Sequence, residues 1–263
     1  MSWVRRHLLT AAAMVTLFIL LLPNVVVGLF SFNKPNGRYN YQWVRFSTDA
    51  WANPCGTPGI CDSLGLSLRI GITASVVATI LGTMVAFALG RFRFRGRATT
   101  NLLIFMPMAT PEVVMGSSLL TLFVMMGLST GALAILIAHI MFCVSFVVVA
   151  VKARVASLDP RLEEAAADLG ATPLATFMKV TLPLVAPGIA AGALLAFSLS
   201  FDDYIITNFN ASPSSITFPM YVWGAAQRGT PVQINVVGTV MFVLSVGIVL
   251  TAQLISRSRT RKA

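Results

Sequence analysis

Residues 152–187 read KARVASLDPRLEEAAADLGATPLATFMKVTLPLVAP, an amphiphilic, carboxylate-bearing segment between long apolar runs, and its reading decides the fold. Asp159 is a good N-cap, and Pro160 suits the first helical position because it has no donor to lose there. Ala165, Ala166 and Ala167 favour continuation, and Gly170 can take the left-handed conformation that ends a helix. Thr172 and Pro173 restart the signal, with Leu174, Phe177 and Met178 spaced along one apolar face. Pro183 and Pro187 are expected to close the segment. The pattern predicts two short helices joined by a glycine turn.

Outward from this hairpin the chain is apolar. Of 263 residues, 56% are hydrophobic and 11% charged, against roughly 25% charged in a soluble domain. Mean hydropathy is +0.81. Six runs are long enough to cross a hydrocarbon core, which takes about 20 helical residues: near 8–30, 64–90, 101–127, 131–151, 188–209 and 234–255. With no long soluble segment, residues 1–263 read as a single all-α integral membrane domain. The first run follows Arg5 and Arg6, but it is too long for a secretion signal and lacks a small-residue cleavage site, so it reads as a retained helix.

The net charge of +10 is not a nucleic-acid signal, because the basic residues fall in short clusters between apolar runs. With the N-terminus inside, the cytoplasmic side collects Arg5, Arg6, the RFRFRGR cluster of residues 91–97, Lys152, Arg154, Arg161, Lys179 and the RSRTRK tail. The other side keeps Lys34, Arg38, Arg45 and Arg228. Both termini and residues 152–187 are therefore predicted to be cytoplasmic. Arg69, near the outer end of the second run, can snorkel to the interface. Cys55 and Cys61 bracket GTPGI in the first outer loop, where oxidising conditions favour a disulfide over two loose thiols. Cys143, inside the fourth run, reads as a packing residue.

Glu164, Ala165 and Ala166, Gly170 six residues after Glu164, and VTLP at 180–183 resemble the EAA loop of binding-protein-dependent ABC importer permeases. Val180 stands where the family usually has Ile. The resemblance covers nearly the whole chain and implies a bacterial inner-membrane, multi-pass subunit of the type I importer plan. It implies that the hairpin docks in a cleft of a cytoplasmic ATPase, with Glu164 in a polar contact and Gly170 at the turn, and a short amphipathic helix that presents Phe177 and Met178 beside charged neighbours suits burial in such a groove. On residue type alone, a hairpin lying on lipid headgroups is an equal alternative. The sequence holds no GxxxxGK[ST], so ATP and Mg are expected on a separate ATPase and no cofactor on this chain. The resemblance further implies a second permease chain, two ATPase subunits and an extracytoplasmic binding protein.

Three acidic residues fall within the six runs: Glu112, Asp202 and Asp203. Carboxylates at membrane depth mark a substrate or ion path by default, and these read as a ladder for a cationic substrate. Adjacent side chains on a helix diverge by about 100°, so Asp202 and Asp203 cannot face one pore equally. One of them can instead pair with a neighbouring helix or cap an interrupted one, and for Asp203 this is an equal alternative to facing the path. Pro107 and Pro111 predict a local break before Glu112. Ser198, Ser200, Tyr204 and Asn208 offer groups for a polyamine, or for contacts between helices. LSFDDYIITNF and the stretch FPMYVWGAAQRGTPVQINVVGTVMFVLS resemble the spermidine/putrescine permeases of the second, "C" type, although iron, thiamine and sulfate permeases share the EAA loop. The outer NPCGTPGICDSLGLS stretch departs from typical members. Tyr41, Trp43 and Trp51 in that loop suit cation stacking or interfacial anchoring.

A different class needs weighing because GLSTG, residues 127–131, fits the GxSxG hydrolase pattern, with His139 ten residues on. That chemistry requires a strand-to-helix elbow, whereas this segment is a turn between two membrane helices. An intramembrane serine protease is therefore the lesser reading. His7 reads as interfacial and His139 as a packed residue, and no Cys and His spacing supports a metal site.

Overall fold

The computed structural model describes residues 3–260, with side chains described for 7–248, 250 and 251. Arg261 and Lys262 of the basic tail lie outside the described residues, as do the side chains of Arg5, Arg6, Arg257 and Arg259. Among the described residues the regular structure is helical, joined by turns and loops, with one isolated bridge between Asn33 and Phe46. In order the helices are α1 (Trp3–Phe30), α2 (Asp49–Ala52), α3 (Ile60–Arg91), α4 (Arg97–Ala109), α5 (Glu112–Met125), α6 (Ala132–Ala156), α7 (Arg161–Asp168), α8 (Pro173–Thr176), α9 (Leu182–Asp202), α10 (Ile205–Asn210), α11 (Phe218–Arg228) and α12 (Val232–Thr260). A π-helical turn, Phe177–Thr181, joins α8 to α9. Among the described residues, four helical spans are long and apolar enough to cross a membrane, or five if α4 and α5 form one bent span. The apolar part of α12, Val232–Ile248, is shorter.

Several boundaries depart from the sequence reading. The run near 101–127 is two helices bent by 109°. The break falls at Thr110 and Pro111: a proline disfavours the helical conformation of the residue before it, and Thr110 is extended with ψ 130°. Pro107 lies inside α4 and makes no break. Likewise Pro187 does not end the hairpin segment, because α9 already begins at Leu182 and carries Pro187 within it. The run near 188–209 also stops early, at Asp202, where Asp203 turns extended before α10. α7 starts at Arg161, one residue later than expected. Asp159 nevertheless supplies the capping bond, its carboxylate accepting the Arg161 N–H at 3.0 Å.

The chain divides into two compact units, residues 62–220 and the remainder. In the first, α6 is the central element, with Ile135, Ala138, His139, Cys143, Val147, Val151 and Val155 all nearly inaccessible. α3 meets it along a seam of small residues four apart: Ala78, Gly82, Ala86 and Gly90. A Cβ at Gly82 would lie 2.7 Å from Val147, and one at Gly90 2.7 Å from Val155. α9 meets α6 in the same way, through Gly188 beside Arg154 and Gly192 beside Val147. Small residues carry these contacts because lipid supplies no hydrophobic drive between helices, and close backbone approach must supply the dispersion energy instead.

The second unit pairs α1 with α12, where Gly28 approaches Thr239 and Gly238 approaches Val27. Its loop is ordered by Asn33, whose side chain donates to Asn40 Oδ1 (2.7 Å) and the Gln42 carbonyl (2.8 Å) and accepts from Val44 N (2.9 Å). Trp51 stacks on Phe32 and donates to Ser31 Oγ, which makes it part of the loop's own packing. Trp43 sits edge-on to Phe30, and Tyr41 stacks on Tyr39. Cys55 and Cys61 are bonded, with α-carbons 5.4 Å apart. Lys34 and Ser47 hydrogen-bond the exposed Asp49 carboxylate and hold it below its ordinary range.

Candidate translocation site and docking hairpin

Two helix interruptions in the 62–220 unit place the acidic residues. Pro111 starts α5 anew with Glu112 as its first residue, exposed on the isolated chain. One turn further on, Gly116 packs against the first turn of α10, where an added Cβ would meet the Ile206 α-carbon at 3.3 Å and the Phe209 ring at 2.7 Å. The restart of one broken helix is thereby laid on the restart of the other.

At the second break the two neighbouring aspartates separate. Asp202 ends α9 and is exposed. Asp203 turns inward, its side chain only 5% exposed, and caps α10 by accepting from Thr207 N (2.7 Å), Thr207 Oγ1 (2.8 Å) and Ile206 N (3.3 Å). His139 Nε2 lies 3.3 Å from the same carboxylate and 3.0 Å from Thr207 Oγ1, while its Nδ1 lies 2.7 Å from Ser200 Oγ. A carboxylate only accepts, so Nε2 carries a proton in this arrangement. A buried carboxylate has to be hydrogen-bonded, and Asp203 is, from three donors of α10 and from His139. Of the other predicted path residues, Ser198 is exposed on α9 and Tyr204 is half-buried at the break.

Ser200, His139 and Asp203 have the composition of a hydrolytic triad but the wrong arrangement. The serine faces Nδ1 and the carboxylate faces Nε2, the reverse of the triad order, and Ser200 is buried inside α9. His139 spends both ring nitrogens on this cluster, and Ser129 lies exposed in the 127–131 turn.

The hairpin forms the other candidate surface. Gly170 ends α7 with φ +81°, and nothing lies within 4 Å of where its Cβ would be. Glu164 and Ala165 are exposed and Ala166 is half-buried. Leu169 is 90% and Leu174 72% exposed, beside Met178 at 54%. Phe177 is divided between roles: at 36% exposure it turns an edge onto Phe87 of α3, centroids 5.3 Å apart. The sequence reading singled out neither Leu169 nor Glu163. Glu163 Oε1 accepts from Arg91 Nη2 at 2.9 Å and from Thr181 Oγ1 at 2.8 Å. No local signal finds this contact, because Arg91 lies seventy-two positions away.

A helical membrane chain with broken spans beside acidic groups and an apolar hairpin on a glycine turn has the features of a transport subunit. The family described as binding-protein-dependent transport system inner membrane component matches residues 78–262, and the chain belongs to that family. It is 35% identical to the spermidine/putrescine transport system permease protein PotC of Escherichia coli K12, covering 92% of this chain and 91% of that one. It is 38% identical to the putrescine transport system permease protein PotI of the same organism, covering 86% and 82%. Among solved structures, a chain of a bacterial ABC transporter that imports the acidic polysaccharide alginate matches with a TM-score of 0.68 at 19% identity, covering 98% of both chains. A chain of the inward-facing MetNI methionine transporter matches with a TM-score of 0.59 at 16% identity, covering 76% of this chain and 95% of that one. At those identities the likeness is one of fold.

Proposed function

We propose that this chain is one of two permease subunits of an ATP-driven importer of polyamines, with spermidine and putrescine as substrates. The observation that carries this reading is its identity, over most of its length, to two relatives named for those substrates. The site chemistry supports it. Glu112 and Asp202 present carboxylates at helix breaks, where freed backbone carbonyls can also meet an alkylammonium chain. Asp203 is already committed to its cap, so Asp202 and Glu112 carry the charge that a polycation meets, with Ser198 and Tyr204 beside it.

In this reading the chain crosses the membrane six times, α4 and α5 forming one bent span and α12 the last, with both termini cytoplasmic. Residues 152–187 dock in one of two ATPase subunits through Glu164, Ala165, Ala166, Leu169, Leu174 and Met178. ATP and Mg are bound and used there, and an extracytoplasmic binding protein delivers the substrate. The test is radiolabelled uptake by the purified complex in proteoliposomes, comparing spermidine and putrescine with an anion and a sugar. Uptake confined to the polyamines and dependent on ATP is expected. Equal uptake of the sugar would overturn the substrate assignment.

A further inference from the structure

Glu163 lies outside the set of residues that the EAA resemblance assigns to the ATPase, yet it is the best-connected side chain of the hairpin. One of its carboxylate oxygens holds Arg91, at the last turn of α3, and Thr181, at the foot of α9. Thr181 is 4% exposed, and the Arg91 and Glu163 side chains are 21% and 35% exposed, so the contact is partly buried and still open to solvent on the Glu163 side. Phe177 on Phe87 adds an apolar tie between the π-helical turn and α3.

The covalent route from the hairpin into α9 runs through the π-helical turn Phe177–Thr181, a locally irregular and therefore compliant piece of helix. Displacement of the hairpin by a partner would be partly absorbed there. The Glu163 carboxylate bridges that turn from outside, joining α7 directly to Thr181, its last residue and the one that adjoins α9, and reaches sideways to a second spanning helix through Arg91. We propose that Glu163 is a positioning residue for coupling: with Arg91 and Thr181 it makes the hairpin, α3 and α9 move as one body when an ATPase moves the hairpin. This rests on the importer reading above and adds a residue and a route to it.

The test uses the complete complex with its ATPase subunits and binding protein, reconstituted in proteoliposomes, with spermidine as the probe. Glu163→Gln keeps the shape and the bond to Thr181 but removes the charge, and Arg91→Gln removes it from the other side. Each is expected to raise the ATP consumed per spermidine imported by about tenfold, the scale of a typical coupling energy between sites. The charge-exchanged double variant Arg91→Glu with Glu163→Arg is expected to recover most of the wild-type ratio. Amide hydrogen exchange across residues 161–176 of the same complexes, a readout independent of substrate, is expected to quicken in both single variants and slow again in the exchange. Wild-type stoichiometry and exchange in both single variants would overturn the proposal. Uncoupled single variants that assemble fully but gain nothing from the charge exchange would also overturn it. A wild-type complex that ignores spermidine, while the exchange pattern follows the charges, would count against the substrate reading alone.

Discussion

Asp202 and Asp203 are neighbours of one chemistry with opposite fates, and the difference lies in their partners. The sequence reading held open that one of them pairs or caps, since adjacent positions on a helix cannot both face a pore. It had no means to choose, because His139 lies 64 positions from Asp203. Removing Asp203 strands the Thr207 N–H and the His139 Nε2–H in a buried site. Asp203→Ala is therefore expected to cost about 3–5 kcal/mol, read as a lowered midpoint of thermal unfolding in detergent. Asp202→Asn orphans no buried donor. It is expected to leave the unfolding midpoint within about 0.5 kcal/mol of wild type while raising the KM for spermidine uptake. Unchanged uptake in Asp202→Asn would remove the acidic path as the basis of cation preference.

At the scale of elements, glycines and prolines carry most of what was legible. Gly170 and Pro111 each mark a real interruption, the first through its positive φ and the second by forcing Thr110 extended. Pro107 and Pro187 look the same in sequence and interrupt nothing, since a helix tolerates one missing hydrogen bond where its neighbours hold the flanking residues. The π-helical turn had no sequence signature at all. Gly170→Ala meets no steric obstacle, so its whole effect is the cost of a left-handed residue, about 1–2 kcal/mol. That variant is expected to fold, insert and yet hydrolyse ATP without matching uptake; normal transport would remove Gly170 from the coupling role. Gly82 is the opposite case, with normal backbone angles and no space. Gly82→Leu is expected to force α3 off Val147 and destabilise the protein by about 1–3 kcal/mol, visible as a lowered unfolding midpoint, whereas the same change at Gly65, which has nothing within 4 Å of its Cβ position, is expected to be silent in the isolated chain.

For the whole molecule, the apolar runs located the spans approximately and the basic clusters predict an orientation, while the number of crossings depends on how α4 with α5 and the short apolar part of α12 sit in lipid. The bonded Cys55–Cys61 pair belongs to a loop that bears few basic residues, and the Arg91–Glu163 contact belongs to segments that bear many. The proposed orientation puts an oxidising compartment at the first and an ATPase at the second. Both can be examined with one reagent. In a Cys143→Ala background, a cysteine introduced at Tyr41 is expected to react with a membrane-impermeant maleimide in intact spheroplasts. One introduced at Leu169 is expected to react only after the membrane is opened, and more slowly once the ATPase subunits are bound. Labelling of the Leu169 site in intact spheroplasts would reverse the orientation and, with it, move the hairpin out of reach of any cytoplasmic ATPase.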